Sequence, residues 1–167
     1  RATTGIDKFE MIGMDACLMG HLEVYTMLAD HARYAVASQE TEPALGWAYA
    51  SFLSELKANP AMSGAELGNL IVDSYISEDQ RIVDDQARAE WLSRGSPLGG
   101  MYGMPTAAQL AQQLGGGVTL SAIDLGQIPA LNDSVNAMAY TLQGARQNQV
   151  ARARSYAQSF TSIFGQQ

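Results

Sequence analysis

The sequence has few of the residues that disulfides and nucleic-acid-binding surfaces require. It contains one cysteine among 167 residues, so no disulfide can form within the chain. Lysine and arginine number 10 against 17 aspartates and glutamates, which leaves a net charge of −7. Nucleic-acid binding needs basic patches, so this charge argues against a nucleic-acid partner and favours attraction of cationic peptides.

Long apolar runs are also missing. No stretch approaches the roughly 20 apolar residues that a membrane-spanning helix needs, so we expect no membrane span. Residues 1–8 have neither the apolar core of a signal peptide nor an initiator methionine. We therefore expect a processed or excised piece of a longer protein, with an upstream part that this sequence does not contain.

What the sequence does have is an alternation of apolar patterns typical of an α/β fold. Hydrophobic residues make up 47% of the chain, enough for one domain with its own core. We predict a mostly parallel sheet with helices on both faces, incomplete in this chain because three strands are few for such a sheet. The strand patterns cover 9–16, 34–38 and 120–124, and the helical patterns cover 18–31, two segments within 49–75, 127–143 and 147–164. The apolar stripe of the 127–143 helix consists of Ile128, Leu131, Val135, Met138 and Leu142.

Cys17 lies where the first strand pattern ends and the first helical pattern begins. That position is the carboxyl edge of the sheet, where open α/β folds bind ligands, and a helix N-terminus favours the thiolate form of a cysteine. Asp15 lies two residues earlier, and alternate residues of a strand share a face. A carboxylate disfavours a neighbouring thiolate, so Asp15 is better suited to receiving a cationic group beside a nucleophile. A lone cysteine in a strand is also common as a small core residue, and periodicity alone leaves that alternative open.

Several segments carry a more specific pattern. Residues 15–20 read Asp-Ala-Cys-Leu-Met-Gly, and residues 34–43 read Tyr-Ala-Val-Ala-Ser-Gln-Glu-Thr-Glu-Pro. These segments closely resemble the clostripain family of cysteine peptidases. The resemblance is dense over 9–75, moderate over 118–142 and absent elsewhere. The other segments that carry it are Glu23 and Val24, Gly46 and Trp47, 62–68, 71–75 and 120–125.

The resemblance implies a caspase-like α/β fold and hydrolysis of peptide bonds after arginine or lysine. In that family the cysteine of the Asp-Ala-Cys-Leu-Met motif is the nucleophile, which here is Cys17. The acid two residues before it lies at the base of the pocket for the basic side chain, which here is Asp15. The chain that leaves the next strand walls this pocket, which here means Ser38, Gln39 and Glu40. The family also favours a secreted or cell-envelope bacterial protein.

A cysteine nucleophile needs a general acid for the leaving amine, normally a histidine. Of the two histidines, His21 is four residues after Cys17 and His31 is near the end of the predicted helix. The family's catalytic histidine lies in a His-Gly motif upstream of the cysteine strand, and this sequence has no such motif. The resemblance therefore implies that the histidine comes from an upstream segment of the same precursor, acting as a companion chain. His21 remains the less favoured alternative.

Residues 78–117 break the alternation of strands and helices. They mix acids with arginines and become rich in glycine and proline over 95–105, which predicts a surface insertion or flexible flap with short helices over 86–93 and 106–114. We accordingly divide the chain into a nucleophile-bearing part (1–77), this insertion (78–117), and the final strand and helices of the same domain (118–167). Some clostripain-like enzymes need calcium, but the acids match no EF-hand spacing, so we assign no metal ligand and keep calcium as a candidate cofactor.

Two alternatives to an active peptidase remain. The chain could be a catalytically inactive caspase-like module that binds a basic peptide or protein partner through Asp15. It could also be a structural α/β domain in which Cys17 belongs to the core, while Glu40 and Glu42 are solvated acids and Trp47 is a core residue. Rapid alkylation of Cys17 in the native protein would support the enzyme, and protection would support the core role.

Overall fold

The computed structural model describes residues 3, 5–95 and 104–157. One sheet contains β1 (Phe9–Gly13), β2 (Ala32–Ser38) and β3 (Leu120–Asp124), in that order. The helices before β3 are α1 (Leu22–Leu28), α2 (Tyr49–Ala58), α3 (Gly64–Ser74), α4 (Gln80–Val83), α5 (Asp85–Gly95) and α6 (Ala107–Gly115). After β3 come a 3-10 turn (Leu125–Gln127), α7 (Ile128–Gly144) and α8 (Gln147–Arg154).

The sheet is mixed. β1 and β2 are parallel, with Met11 opposite Tyr34, whereas β2 and β3 are antiparallel, with Val36 opposite Ala122. The expected parallel arrangement therefore holds for the first pair, which α1 joins as a crossover. The long connection over 39–119 can bring the chain back to either end of the sheet, and an antiparallel edge strand is common in α/β folds.

Helices cover both faces of the sheet, as the sequence predicts. On one face, Val36 packs in a core cluster that includes buried residues of four helices, namely Phe52, Ile71, Ile82 and Leu110. On the other face, Ala35 and Ala37 pack with Tyr25 of α1 and Ile128 of α7. Successive β2 residues are buried on opposite faces, which explains the apolar centre of this strand. The α/β architecture is thus confirmed.

Helix α3 begins at the capping box that the sequence predicts. The Glu66 backbone N–H donates to Ser63 Oγ (3.3 Å), and the Ser63 backbone N–H donates to Glu66 Oε2 (2.8 Å). Gly68 faces the sheet, where an added Cβ would lie 3.1 Å from the Cβ of Ala122. The helix therefore packs close to the sheet, and Tyr75, at its C-cap, is buried in the core cluster.

Helices α4, α5 and α6 lie in the 78–117 segment, and each contributes a buried residue. Ile82 of α4 and Leu110 of α6 are buried. Arg88 of α5 is 3% exposed and donates to the carbonyl oxygens of Ile82 (2.6 Å) and Pro105 (3.1 Å). The two short helices are confirmed. Although Ile82, Arg88 and Leu110 are buried, most of the described residues of this segment are exposed, so its role as a surface insertion stays a prediction. Residues 96–103 of the predicted flap lie outside the described residues, and the division at 77 and 117 stays a prediction.

Helix α7 leaves most of its apolar stripe uncovered by the described residues. Near its start, Ile128 is 3% exposed and Asn132 donates to Thr26 Oγ1 of α1 (3.0 Å). Residues 133–149 are all exposed. Burial of the predicted stripe is therefore confirmed for Ile128 alone, while the other members are 37–57% exposed: Leu131, Val135, Met138 and Leu142.

Helix α8 is shorter than the pattern over 147–164 predicts. It ends at Arg154, and a turn follows to residue 157. The rest of the predicted helix lies outside the described residues. Within residues 3, 5–95 and 104–157, no helix has both the length and the apolar character needed to cross a bilayer.

Candidate active site

The turn from β1 to α1 differs from the prediction. Helix α1 begins at Leu22, five residues after Cys17. Residues 18–20 instead stay bonded to the chain that leaves β2, and the Gly20 N–H donates to the Ser38 carbonyl oxygen (2.8 Å). An added Cβ at Gly20 would lie 2.7 Å from the Ser38 carbonyl carbon, so this close approach requires glycine. Cys17 is therefore not at a helix N-terminus, and the expected dipole contribution to its thiolate is wrong.

The Cys17 side chain is exposed, with its sulfur against the loop that follows β2. The Glu42 backbone N–H donates to Sγ (3.3 Å), and Sγ lies 3.8 Å from the Glu42 carbonyl oxygen. The next residue, Leu18, has a φ of +63°, a left-handed conformation that residues other than glycine rarely adopt. Because the sulfur is exposed, the alternative in which Cys17 is a core residue is wrong.

The same loop wraps the carboxylate of Asp15. The Trp47 backbone N–H donates to Asp15 Oδ2 (3.1 Å). Gly46 precedes it with a φ of +72°, and an added Cβ there would lie 3.0 Å from Asp15 Oδ2. Burial raises the pKa of Tyr49, and a hydrogen bond with Asp15 raises it further, so Tyr49 lies beside the same carboxylate. The loop therefore orients Asp15 while leaving the residue exposed.

Glu42 lies beside both Asp15 and Cys17, although sequence reasoning did not place it in the pocket. Its Oε2 accepts a hydrogen bond from the indole Nε1 of Trp47 (3.0 Å). Burial raises the pKa of Glu42 to about 7; the negative charge of Asp15 adds to this effect and the Trp47 hydrogen bond opposes it. Asp15 and Cys17 thus meet at one site, although β1 ends at Gly13 and neither residue lies on the strand from which their shared face is predicted. Glu42 is a third member of this site.

The expectation that Glu40 and Glu42 are solvated is wrong for both. Glu40 is 7% exposed, and one side-chain oxygen of each glutamate is buried without a hydrogen-bond partner among the described residues. A signal for Glu42 was present in the sequence. Trp47 is predicted to be a core residue, and a buried indole N–H needs an acceptor nearby.

The three residues predicted to wall the pocket occupy different environments. Ser38 is fully buried as the last residue of β2, with its Oγ 3.1 Å from Thr119 Oγ1. The Glu40 backbone N–H also donates to Thr119 Oγ1 (2.9 Å). Gln39, between them, is exposed. The structure therefore presents the Gln39 side chain to solvent, whereas Ser38 and Glu40 anchor the start of the loop to the residue before β3.

A cleft of about 280 Å³ opens beside this loop, between residues 47–51 and 79–81. Arg81 donates to the Trp47 carbonyl oxygen (3.2 Å) and forms an ion pair with Asp79 (2.5 Å). The hydrogen bond with Asp79 holds the pKa of Arg81 above its ordinary value, and Asp15 makes a smaller contribution of the same sign. The cleft thus provides room for a side chain next to Trp47 and Tyr49, the two cleft residues that also lie beside Asp15.

Neither histidine contacts the cysteine through a hydrogen bond in the described part of the chain. His21 is exposed at the N-cap of α1, where its carbonyl oxygen accepts the Tyr25 N–H (3.0 Å). The carbonyl oxygen of His31 accepts the Phe9 N–H (2.8 Å). Across the same residues, no three side chains of His, Cys, Asp or Glu are grouped to hold a metal ion. Calcium stays a prediction.

The chain is similar to known proteins both in family and in structure. The model of the clostripain family matches residues 1–165. Among solved structures, a B. fragilis cysteine protease is similar, with 18% identity and a TM-score of 0.46, over 74% of this chain and 40% of that one. The chain therefore spans less than half the length of that protease, and no curated protein matches it. From the match over 1–165, the chain belongs to the clostripain family of cysteine peptidases.

Proposed function

We propose that this chain is the nucleophile-bearing part of a cysteine endopeptidase that cleaves after arginine or lysine. Cys17 is the nucleophile, and Asp15 receives the basic side chain. The observation that carries the proposal is that an exposed sulfur and an oriented, accessible carboxylate both contact the loop over 39–47. A peptidase that cleaves after a basic residue needs its nucleophile and its specificity group within one substrate residue of each other. The positions of Cys17 and Asp15 fit this need.

The reaction uses the sulfur as a covalent nucleophile. The Cys17 thiolate attacks the scissile carbonyl carbon, the carbon–nitrogen bond breaks, and the amine leaves with a proton from a general acid. The acyl enzyme that remains is hydrolysed by water. The oxyanion of the intermediate needs backbone N–H donors close to the nucleophile, and the N–H of Cys17 itself is the nearest candidate.

Asp15 selects the substrate through its charge. A guanidinium group binds a carboxylate through two parallel hydrogen bonds, and an ammonium group binds it as a point charge. One oxygen of Asp15 is held by Trp47, so the carboxylate is fixed before substrate arrives. Around it, the Gln39 side chain and the backbone atoms of Ser38 and Glu40 form the proposed wall.

The catalytic histidine comes from an upstream segment of the precursor, acting as a companion chain. The exposed N-cap position of His21, with no hydrogen bond to Cys17 in the described residues, supports this proposal. Two surfaces are available for the companion. Among the described strands β1 pairs with β2 alone, and α7 exposes its apolar stripe.

The test compares chain 1–167 with and without the upstream segment, added as a separate chain. We expect no hydrolysis of arginyl or lysyl peptides by 1–167 alone and turnover once the segment is added. Turnover by 1–167 alone that His21→Ala abolishes would contradict the companion. Binding of basic peptides without turnover in the reconstituted protein would favour the inactive module. Parallel assays with a chelator and with added calcium test the cofactor.

A further inference from the structure

Glu42 is held beside Cys17, but only one of its two carboxylate oxygens has a hydrogen-bond partner among the described residues. Its backbone N–H donates to Cys17 Sγ (3.3 Å), and its Oε2 accepts the Trp47 indole N–H (3.0 Å). The other oxygen, Oε1, is buried and has no hydrogen-bond partner among the described residues. Asp15 and Glu42 can share a hydrogen bond only while one carboxyl holds a proton. Buried polar atoms are nearly always paired, so once both groups are ionised this oxygen needs a donor that the described residues do not supply.

Tyr75 supplies a second, independent sign of a missing partner. It is 7% exposed, and its hydroxyl is buried without a hydrogen bond in the described structure. Burial raises the pKa of Tyr75, and the negative charges of Glu42, Asp15 and Cys17 raise it further. The hydroxyl is therefore neutral and close enough to all three groups to be affected by their charges, and its oxygen is free to accept a hydrogen bond.

The chemistry of these groups defines what would fill the site. Asp15 and Glu42 offer carboxylate oxygens, and Tyr75 offers a phenol oxygen, so the ligand must be cationic and rich in N–H donors. A guanidinium group has five N–H donors spread over a plane, whereas an ammonium group has three on one atom. Acceptors contributed by three separate side chains suit the wider group.

We propose that Glu42 and Tyr75 complete the cation pocket that Asp15 begins, and that they give it a preference for a guanidinium over an ammonium group. Glu42 is the second carboxylate, and Tyr75 is a neutral acceptor. This inference rests on the proposed function, in which Asp15 receives the basic side chain. It adds the two residues that distinguish arginine from lysine.

The test uses alkylation of Cys17, which requires no histidine and suits chain 1–167 as it stands. Three peptidyl chloromethyl ketones differ only in the last residue: arginine, lysine, or citrulline, a neutral isostere of arginine. The sulfur displaces chloride and forms a carbon–sulfur bond, and mass spectrometry gives the labelling rate. Rate ratios within one protein variant cancel changes in thiol reactivity.

We expect the wild-type order arginine, lysine, citrulline. Glu42→Gln should lower the arginine-to-citrulline ratio about ten-fold, because a charge-assisted hydrogen bond is lost. Tyr75→Phe should lower the arginine-to-lysine ratio about three- to ten-fold. Glu55→Gln, an exposed acid of α2, is the matched control and should change neither ratio.

The wild-type protein offers a second measurement that needs no variant. The titratable groups around Glu42 are Asp15, Cys17, Tyr49 and Tyr75. Only the thiolate reacts, so ionisation of Cys17 affects all probes equally, and the two tyrosines stay neutral. The arginine-to-citrulline ratio should therefore rise between pH 6 and 8 as Glu42 ionises around pH 7.

The outcomes separate this inference from the function on which it rests. If Asp15→Asn removes the preference for arginine but Glu42→Gln and Tyr75→Phe leave all ratios unchanged, the inference is wrong and the proposed pocket stands. A ratio that is flat from pH 6 to 8 would also overturn the role of Glu42. Equal labelling by the arginyl and citrullyl probes in the wild type would overturn both the inference and the cation pocket.

Discussion

The loop over 39–47 buries polar atoms that have no partners among the described residues, whereas helix α7 leaves apolar side chains exposed. Around the loop, polar oxygens of Glu40 and Glu42 are buried without partners in the described structure. Along α7, apolar side chains such as Met138 and Leu142 are 57% and 42% exposed. Folded chains normally pair the polar atoms that they bury and cover the apolar stripe of a helix. Among the described residues the two regions therefore lack different partners, a hydrogen-bond donor at the loop and apolar neighbours at α7.

The largest expected effect is at the loop. Cys17→Ala should abolish peptide hydrolysis in the protein reconstituted with its upstream segment, because the variant lacks the sulfur that we propose forms the acyl enzyme. The free energy of unfolding should change by less than about 1 kcal/mol, because the side chain is exposed. Residual hydrolysis by Cys17→Ala, measured with the wild-type substrate, would show that another residue is the nucleophile.

A second prediction compares the core with α7. Ile71→Ala removes a side chain that is 1% exposed and should lower the free energy of unfolding by about 2–5 kcal/mol. Leu131→Ala, an aliphatic truncation at a position 47% exposed, should cost less than about 1 kcal/mol in the isolated chain. Urea unfolding of both variants gives the comparison.

The same pair of variants tests whether α7 is covered in the assembled protein. With the upstream segment present, Leu131→Ala should weaken association of that segment, while the isolated chain stays near wild-type stability. A large loss of stability for Leu131→Ala in the isolated chain would mean that the stripe is already covered by this chain.

A third prediction concerns the pH dependence of stability, where the effect is smaller. The pKa of Glu42 rises from its ordinary value of 4.5 to about 7 in the folded protein. Between these values the folded state keeps a proton that the unfolded state has lost, so the free energy of unfolding falls as pH rises from 4.5 to 7. After discounting for partial exposure to solvent, the fall due to Glu42 is about 1–2 kcal/mol.

Glu42→Gln removes the titrating group, so this variant should not show the fall in the free energy of unfolding that is due to Glu42. Relative to wild type, its stability should therefore increase between pH 4.5 and pH 8, as measured by urea unfolding at both values. Glu55→Gln should keep a constant difference from wild type. If the Glu42→Gln difference is also constant, Glu42 titrates normally in the folded state.

The sequence predicts the ends of those helices and strands that are set by residues close to them in the chain. The capping box at Ser63 set the start of α3, and the strand over 120–124 was correct at both ends. The start of α1 was not predictable, because apolar spacing continues through 18–21 while backbone bonds from Gly20 to Ser38 hold those residues out of the helix. That contact joins residues 18 apart in sequence, so no periodic pattern of apolar residues can indicate it.

The candidate site likewise contains some residues that the sequence predicts and others that it does not. Asp15 and Cys17 are two residues apart and so are neighbours by sequence, but the predicted strand that would set their shared face ends at Gly13. Glu42 and Tyr75 reach the site through the loop and through the end of α3, which are tertiary contacts. The antiparallel course of β3 also depends on the path of the whole 39–119 connection, not on the residues of the strand.

The most direct test of the central claim is Asp15→Asn in the reconstituted protein, assayed on matched arginyl and citrullyl peptides. A charge-assisted hydrogen bond contributes roughly 1.5–3 kcal/mol, so kcat/KM on the arginyl peptide should fall about ten- to a hundred-fold or more. The citrullyl peptide should lose little, and Cys17 should alkylate with iodoacetamide at no lower a rate. Equal losses on both peptides would contradict the account, because Asp15 would then serve the fold or the catalytic groups instead of the basic side chain.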